Sequence, residues 1–243
     1  MASPLFYDNV VVLDKQKHKN LQLTAERSLS FAKAANSIPV AGFEFFDASR
    51  SYPVFFIKNA EGEFIPLVIL SFLKDGHELG EDVWRDVYIP TYVRRYPFMI
   101  STDGVVVIDD ASNQLVKEGG IPLFKEDGEP SDEFNQHLEF LDVVDKGFKR
   151  TGDFCKAVAD KDLFRLFDSK LNFPQGTVNL GDVYIIDEKK LHKDLDQAEV
   201  HEWFNNGWIG WVHAHLHSLS SVQQVMKRAV DAQAEKKDKA DKA

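Results

Sequence analysis

The residues with most chemistry to offer lie in one run, Tyr88-Ile-Pro-Thr-Tyr-Val-Arg-Arg-Tyr-Pro-Phe98. Three tyrosines, a phenylalanine, two prolines and an arginine pair share it. Proline excludes a helix interior, because it lacks the N–H and its ring clashes with the preceding turn. The run therefore reads as an extended segment presenting Arg94 and Arg95 from an aromatic shelf. Neighbours in an extended chain face opposite sides. One guanidinium would bind a carboxylate or phosphate in two-pronged fashion while stacking on Tyr92 or Tyr96. The other would form a structural ion pair. Tyr88, Tyr92, Arg94, Arg95 and Tyr96 are the candidate ligand-binding set. The competing reading pairs both arginines internally, with acids such as Glu44 or Asp109.

Histidines supply the second constellation. His213, His215 and His217 fall in a stretch whose apolar spacing is helical, which places His213 and His217 one turn apart as a two-histidine grip on zinc or iron. His201 or Glu202 would have to complete it. His215 lies nearer the apolar stripe. No glutamate follows His213, so this is not a His-Glu-x-x-His metalloprotease motif. Packing or capping is the bland role for these histidines, and the balance favours no cofactor. The acidic stretch Glu126-Asp-Gly-Glu129 lacks the later ligands of a calcium loop and reads as a solvated turn.

Nucleophile motifs are missing. The chain has no Gly-x-Ser-x-Gly elbow, no phosphate loop and no Gly-x-Gly-x-x-Gly. Cys155, beside Phe154 and Ala157, reads as a small core residue. Glu44 and Asp47 carry no further mark of paired acids. The chain reads as a binding protein rather than an enzyme, and no catalytic residue is assigned.

Bulk properties narrow the partners. A formal charge of −10 over 243 residues, with no basic stripe, argues against nucleic acid. One cysteine allows no disulfide within the chain and fits a reducing compartment. No apolar stretch approaches the ~18 residues of a membrane span. The N-terminus lacks a basic region followed by an apolar run, so the expectation is a cytoplasmic protein without a signal peptide. Non-classical export stays open.

The elements that must position these residues follow from patterning. Val10–Leu13 is β-branched and reads as a strand. Thr24 would cap a helix to Asn36. Ile38–Phe46 reads as a strand. Tyr52–Lys58 and Glu63–Leu70 form a hairpin around Asn59-Ala-Glu-Gly62. Lys74–Asp86 reads as a polar loop. Asp103-Gly104, between Met99–Thr102 and Val105–Ile108, is the strongest hairpin signal. After an acidic turn, Ser131 caps a helix with Phe134, Leu138, Leu141 and Phe148 at helical spacing. Asp153 would cap a further helix to Asp168. Val178–Ile186 reads as one strand that stops at Asp187, where a helix starts. Ala198–Asn206 is a short helix ending at Gly207. Trp208 to about Asp231 reads as the longest helix, with Trp208, Val212, Leu219, Val222 and Met226 on one stripe. The expected fold is α+β: a mostly antiparallel sheet in the N-terminal half, with a helical C-terminal half packed on it. Residues 1–233 read as one domain. Residues 234–243, rich in Lys, Asp and Ala, read as a disordered charged tail.

Several ordered segments resemble the SapC family of bacterial proteins. The Tyr88–Phe98 block resembles that family's Tyr-x-Pro-x-Tyr-x-Arg-Arg-Tyr-Pro-Phe signature. Asn36-Ser-Ile-Pro39, Glu44-Phe45, Tyr52-Pro-Val-Phe55, Leu123–Ser131, Tyr184-Ile-Ile-Asp187 and His213–Leu219 follow in the expected order. The resemblance covers roughly residues 5–230. It implies an association with surface layers or peptide transport and brings no catalytic residue with it. Together with the residues, it leads to a non-catalytic binding or accessory protein with a peptide or protein partner. The alternatives are a metal-dependent enzyme built on His213 and His217, and a surface-layer subunit.

Overall fold

The computed structural model describes residues 4–26, 28–72, 84, 87–167, 170–173 and 176–240. In chain order, β1 is Val10–Val12, β2 Gln22–Leu23 and β3 Ser37–Pro39. Helix α1 is Phe45–Ala48; β4 is Val54–Lys58 and β5 Phe64–Ile69. Then come α2 (Thr91–Arg94), β6 (Phe98–Ile100), β7 (Val106–Asp109), β8 (Leu115–Val116), β9 (Ile121–Pro122) and the long α3 (Asp132–Asp160). Next are β10 (Phe164–Leu166), β11 (Lys170–Phe173), β12 (Gly176–Asn179) and β13 (Tyr184–Ile186). The chain ends with α4 (Glu188–Asp194), α5 (Gln197–Asn205), α6 (Trp208–Ser218) and α7 (Val222–Ala240). The fold is α+β, with every strand pairing among the described residues antiparallel. Among the described residues, no helix is long and apolar enough to cross a membrane.

Two compact units interleave along the sequence. The first comprises Met1–Ala32 and Thr91–Lys146, the second Lys33–Pro90 and Gly147–Ala243. In the first unit, the sheet β1-β7-β6 and the small ladder β8-β2-β9 surround Leu23, Phe98, Ile108, Leu123, Phe134 and Leu141. In the second, the sheet order is β10-β13-β4-β5-β3. Side chains alternate across a strand. Phe55, Leu67 and Ile69 therefore face one way and pack with Val222 and Val225 of α7. Phe56 faces the other way, against Phe45, Phe164 and His215.

Local chemistry accounts for the features that match expectation. Gly104 takes a positive φ of 77° at the β6–β7 turn, and Gly62 (φ 83°) closes the β4–β5 hairpin. Both are conformations that glycine adopts without a Cβ penalty. Ser131 Oγ accepts from Phe134 N–H at 3.1 Å and caps α3. Asp187 accepts from Lys189 and Lys190 N–H and caps α4. The acidic turn closes on itself through Lys125 N–H to Glu129 O at 2.7 Å.

Other elements differ from their sequence reading. No helix follows Thr24: Gln22 and Leu23 are claimed by β8 and β9, and only a short 3₁₀ turn forms at Ser30–Ala32. Strand β3 stops at Pro39, and the chain turns over Gly42–Glu44 into α1. Asp153 caps nothing. It lies inside α3, which runs through Gly147 and Gly152 without interruption. Val178–Ile186 is divided at Gly181 (φ 71°), so β12 pairs with β11 while β13 joins β4 and β10. The expected last helix is interrupted at Leu219–Ser221, which makes α3 the longest. There Ser218 and Ser220 hydroxyls donate to the carbonyls of His215 and His217, competing for backbone acceptors. Helix α7 extends to Ala240, through residues whose composition reads as a tail but includes good helix formers. Apart from Trp84, the loop read over Lys74–Asp86 lies outside the described residues.

Candidate functional site

Pro90 and Pro97 bracket one helical turn rather than an extended segment. Thr91–Arg94 forms α2, Arg95 N–H donates to Thr91 O at 2.9 Å, and the Tyr96–Pro97 peptide is cis. Proline is tolerated at a helix start, where its missing N–H has no intrahelical partner. This corrects the extended reading, and the arginines do not alternate as strand neighbours would. Arg94 is exposed, with its guanidinium 5.3 Å from the centre of the Phe140 ring. Arg95 is half-buried and lies 4.0 Å over the Tyr92 ring. Tyr92 and Tyr96 are buried.

Tyr96 belongs to a buried knot in the first unit. Its ring stacks on Phe31 at 4.1 Å and meets Tyr7 edge-on at 5.3 Å. Its hydroxyl donates to Asp109 Oδ2 at 2.9 Å. Asp109 is fully buried and also accepts from the N–H groups of Asp8, Asn9 and Ala111. Burial alone would raise its pKa. The Asn9 and Asp8 N–H groups and the Tyr96 hydroxyl outweigh that and hold the carboxyl below its ordinary range. Burial, with the carboxylate beside it, pushes Tyr96 up to about 12. Asp109 thus takes Tyr96 and backbone as partners rather than an arginine. Arg95 sits against Tyr7, whose hydroxyl donates to Phe98 O at 2.8 Å.

Tyr88 belongs to the second unit. Its hydroxyl donates to Glu44 Oε1 at 2.8 Å, while Glu44 Oε2 accepts from Ala41 N–H at 2.9 Å. Glu44 is buried. Gly42 N–H, two residues earlier, donates to Thr151 Oγ1 at 2.8 Å. The Trp211 ring lies where a Cβ on Gly42 would stand, 2.3 Å from Cε3.

Helix α6 separates its histidines by role. His213 and His217 are exposed on one face, whereas His215 is fully buried. His201 Nδ1 lies 3.2 Å from Asn205 Nδ2 on the exposed side of α5. Among the described residues, no group of three His, Cys, Asp or Glu side chains is placed to hold a metal ion. His215 Nε2 accepts from Ile186 N–H at 3.1 Å, so Nδ1 carries the proton and donates to Val54 O at 3.0 Å. Burial pushes its pKa down to about 3, against which the Val54 bond acts weakly.

A groove of about 620 Å³ opens between the start of β5 and the second half of α3. Gly62, Glu63, Phe64, Ile65 and Pro66 form one wall; Phe148, Thr151, Gly152, Cys155, Lys156 and Ala159 are among those forming the other. A Cβ on Gly152 would meet open space. Cys155 is buried in the wall, and burial pushes its thiol up to about 12, so it stays protonated and is a poor nucleophile. Lys156 pairs with Asp160 at 2.6 Å, while Glu63 and Asp153 are exposed.

The SapC family model matches residues 13–225. The chain belongs to the SapC family. No curated protein and no solved structure matches it.

For this SapC-family chain, the ordered motifs were a sound guide to family, while the geometry divides the aromatic–arginine block. Tyr92, Arg95 and Tyr96 lie within the packed first unit, Arg94 reaches its surface, and Tyr88 braces Glu44 in the second. Sequence reasoning missed the groove. Its lining comes from two stretches more than 80 residues apart in sequence, which leaves no motif. A local signal was Gly152, a glycine inside a helix, where a Cβ would meet open space.

Proposed function

We propose that this protein is a non-catalytic binding or accessory protein that recognises a peptide or protein partner, acting in the cytoplasm in a transport- or surface-associated system. The observation that carries this reading is the groove between β5 and α3. Its volume of about 620 Å³ falls within the ~300–1,000 Å³ of ligand sites. Its walls are largely apolar, from Phe64, Ile65, Pro66, Phe148 and Ala159, with a few charges at the rim. The only thiol is held protonated in the wall, which favours recognition over chemistry. Arg94, exposed above Phe140, is the member of the arginine pair best placed to add a surface contact.

A display library of random 12-residue peptides tests this reading. Gly152→Phe should fill the groove without a clash, because its Cβ meets open space. Selected peptides should bind the wild type and lose at least about tenfold in affinity for Gly152→Phe. A library that yields no binder, or binders indifferent to Gly152→Phe, overturns it.

A further inference from the structure

Strand β5 is longer than the neighbour that covers it. In the β4–β5 pair, Asn59 N–H donates to Glu63 O and Ile69 N–H to Pro53 O. Bonded positions alternate along an antiparallel ladder. With Lys58 opposite Phe64 and Ile57 opposite Ile65, the odd-numbered residues of β5 bond to β4. Phe64, Pro66 and Val68 turn their backbone groups the other way. On that side Ile38 pairs with Val68, and Val40 N–H donates to Pro66 O at 3.1 Å. Strand β3 then ends, and the chain turns off at Gly42, whose N–H is held by Thr151. Among the described residues, nothing takes the N–H or C=O of Phe64. That stretch of edge lies in the wall of the groove, across from α3.

We propose that the occupant of this groove is an extended peptide that adds as a strand beside Phe64, exchanging both backbone hydrogen bonds with it. An unpaired edge beside a helix is suited to strand addition, in which main-chain bonds give affinity and alternate side chains give specificity. The inference rests on the groove being the binding site. The side chain of the residue opposite Phe64, and of the one two away toward Gly62, would share the face of Phe64 and meet the apolar wall of α3, so they should be apolar; on the other side Val40 already holds Pro66 O. Those between would share the face of Glu63 and Ile65, as alternation requires. Glu63 is exposed on that face. Its charge favours lysine or arginine at the intervening positions.

The test titrates acetyl-Val-Lys-Val-Lys-Val-amide, its Glu counterpart, and a version N-methylated on all three valines. The lysine peptide should bind wild type and fail on Gly152→Phe. The glutamate peptide should bind at least about tenfold more weakly, with the order narrowed or reversed in Glu63→Lys. N-methylation removes the N–H that Phe64 O would accept, and should cost at least about fivefold. Equal binding of the N-methylated peptide overturns strand addition. So does a library consensus that is helical, or binding confined to small apolar molecules. In those cases sensitivity to Gly152→Phe keeps the groove as the site; its loss for every peptide overturns both readings.

Discussion

The Tyr96 hydroxyl donates to Asp109 Oδ2 at 2.9 Å, and this bond joins the arginine-bearing block to the N-terminal segment. Asp109 receives that segment through the N–H groups of Asp8 and Asn9. Removing the carboxylate leaves one buried and three part-buried donors unmet, whereas removing the hydroxyl takes one donor from an acceptor that keeps others. Asp109→Ala should therefore cost about 3 kcal/mol and Tyr96→Phe about 1 kcal/mol. Urea denaturation checks the order. Equal shifts of the midpoint would show that Asp109 is not the centre of the knot.

The two arginines should separate in the same assay. Arg95 lies 4.0 Å over Tyr92 and against Tyr7, half-buried. Arg95→Ala should lower stability by about 1–2 kcal/mol, through the lost ring contact and the lost packing of its stem. Arg94 is exposed, and Arg94→Ala should leave the unfolding midpoint close to wild type. A larger loss at Arg94 than at Arg95 would contradict this geometry.

Two glycines offer a matched comparison. A methyl on Gly42 would stand 2.3 Å from Trp211 Cε3, and one on Gly147 would stand 2.2 Å from Phe43 Cε1. The distances are alike, but the obstacles are not. Trp211 is 6% exposed and ringed by Phe45 and Phe154. Phe43 is 37% exposed and has room to swing. Gly42→Ala should cost about 1–3 kcal/mol by overpacking. Gly147→Ala, which also gains about 1 kcal/mol of helix propensity, should be near neutral. Thermal melts of both variants decide it.

What was legible in the sequence was whatever a few adjacent residues decide. Asp103-Gly104, Asn59–Gly62, Ser131, Asp187 and Gly207 each set a local backbone conformation or satisfy a local donor, and each stands where its chemistry placed it. Misread elements were decided from a distance. The helix after Thr24 lost to ladders with β8 and β9. The last helix broke where Ser218 Oγ also accepts from Val54 N–H and Ser221 Oγ donates to Ser49 O. The arginine block was misread for a local reason: its prolines were read as excluding a helix, yet they leave room for one turn between them. The groove was invisible because an unpaired edge depends on where another strand stops, not on the residues of β5.

His215 supplies a pH signature that the carboxylates do not share. In the native state its pKa is lowered to about 3, mainly by burial, against about 6.5 when unfolded. Between those values the unfolded chain binds a proton that the native chain refuses, so stability rises with pH across the window and is lost on acidification. The slope approaches about 1.4 kcal/mol per pH unit, which gives about 1.6 kcal/mol between pH 6.5 and 5, before most carboxylates protonate. Protonated Nε2 would also turn an N–H against the Ile186 N–H it now accepts from. His215→Gln, which cannot titrate, should lose stability at neutral pH yet flatten the dependence between pH 6.5 and 5. Chemical denaturation at stepped pH measures both curves. A variant as steep as the wild type would move the acid sensitivity to another group.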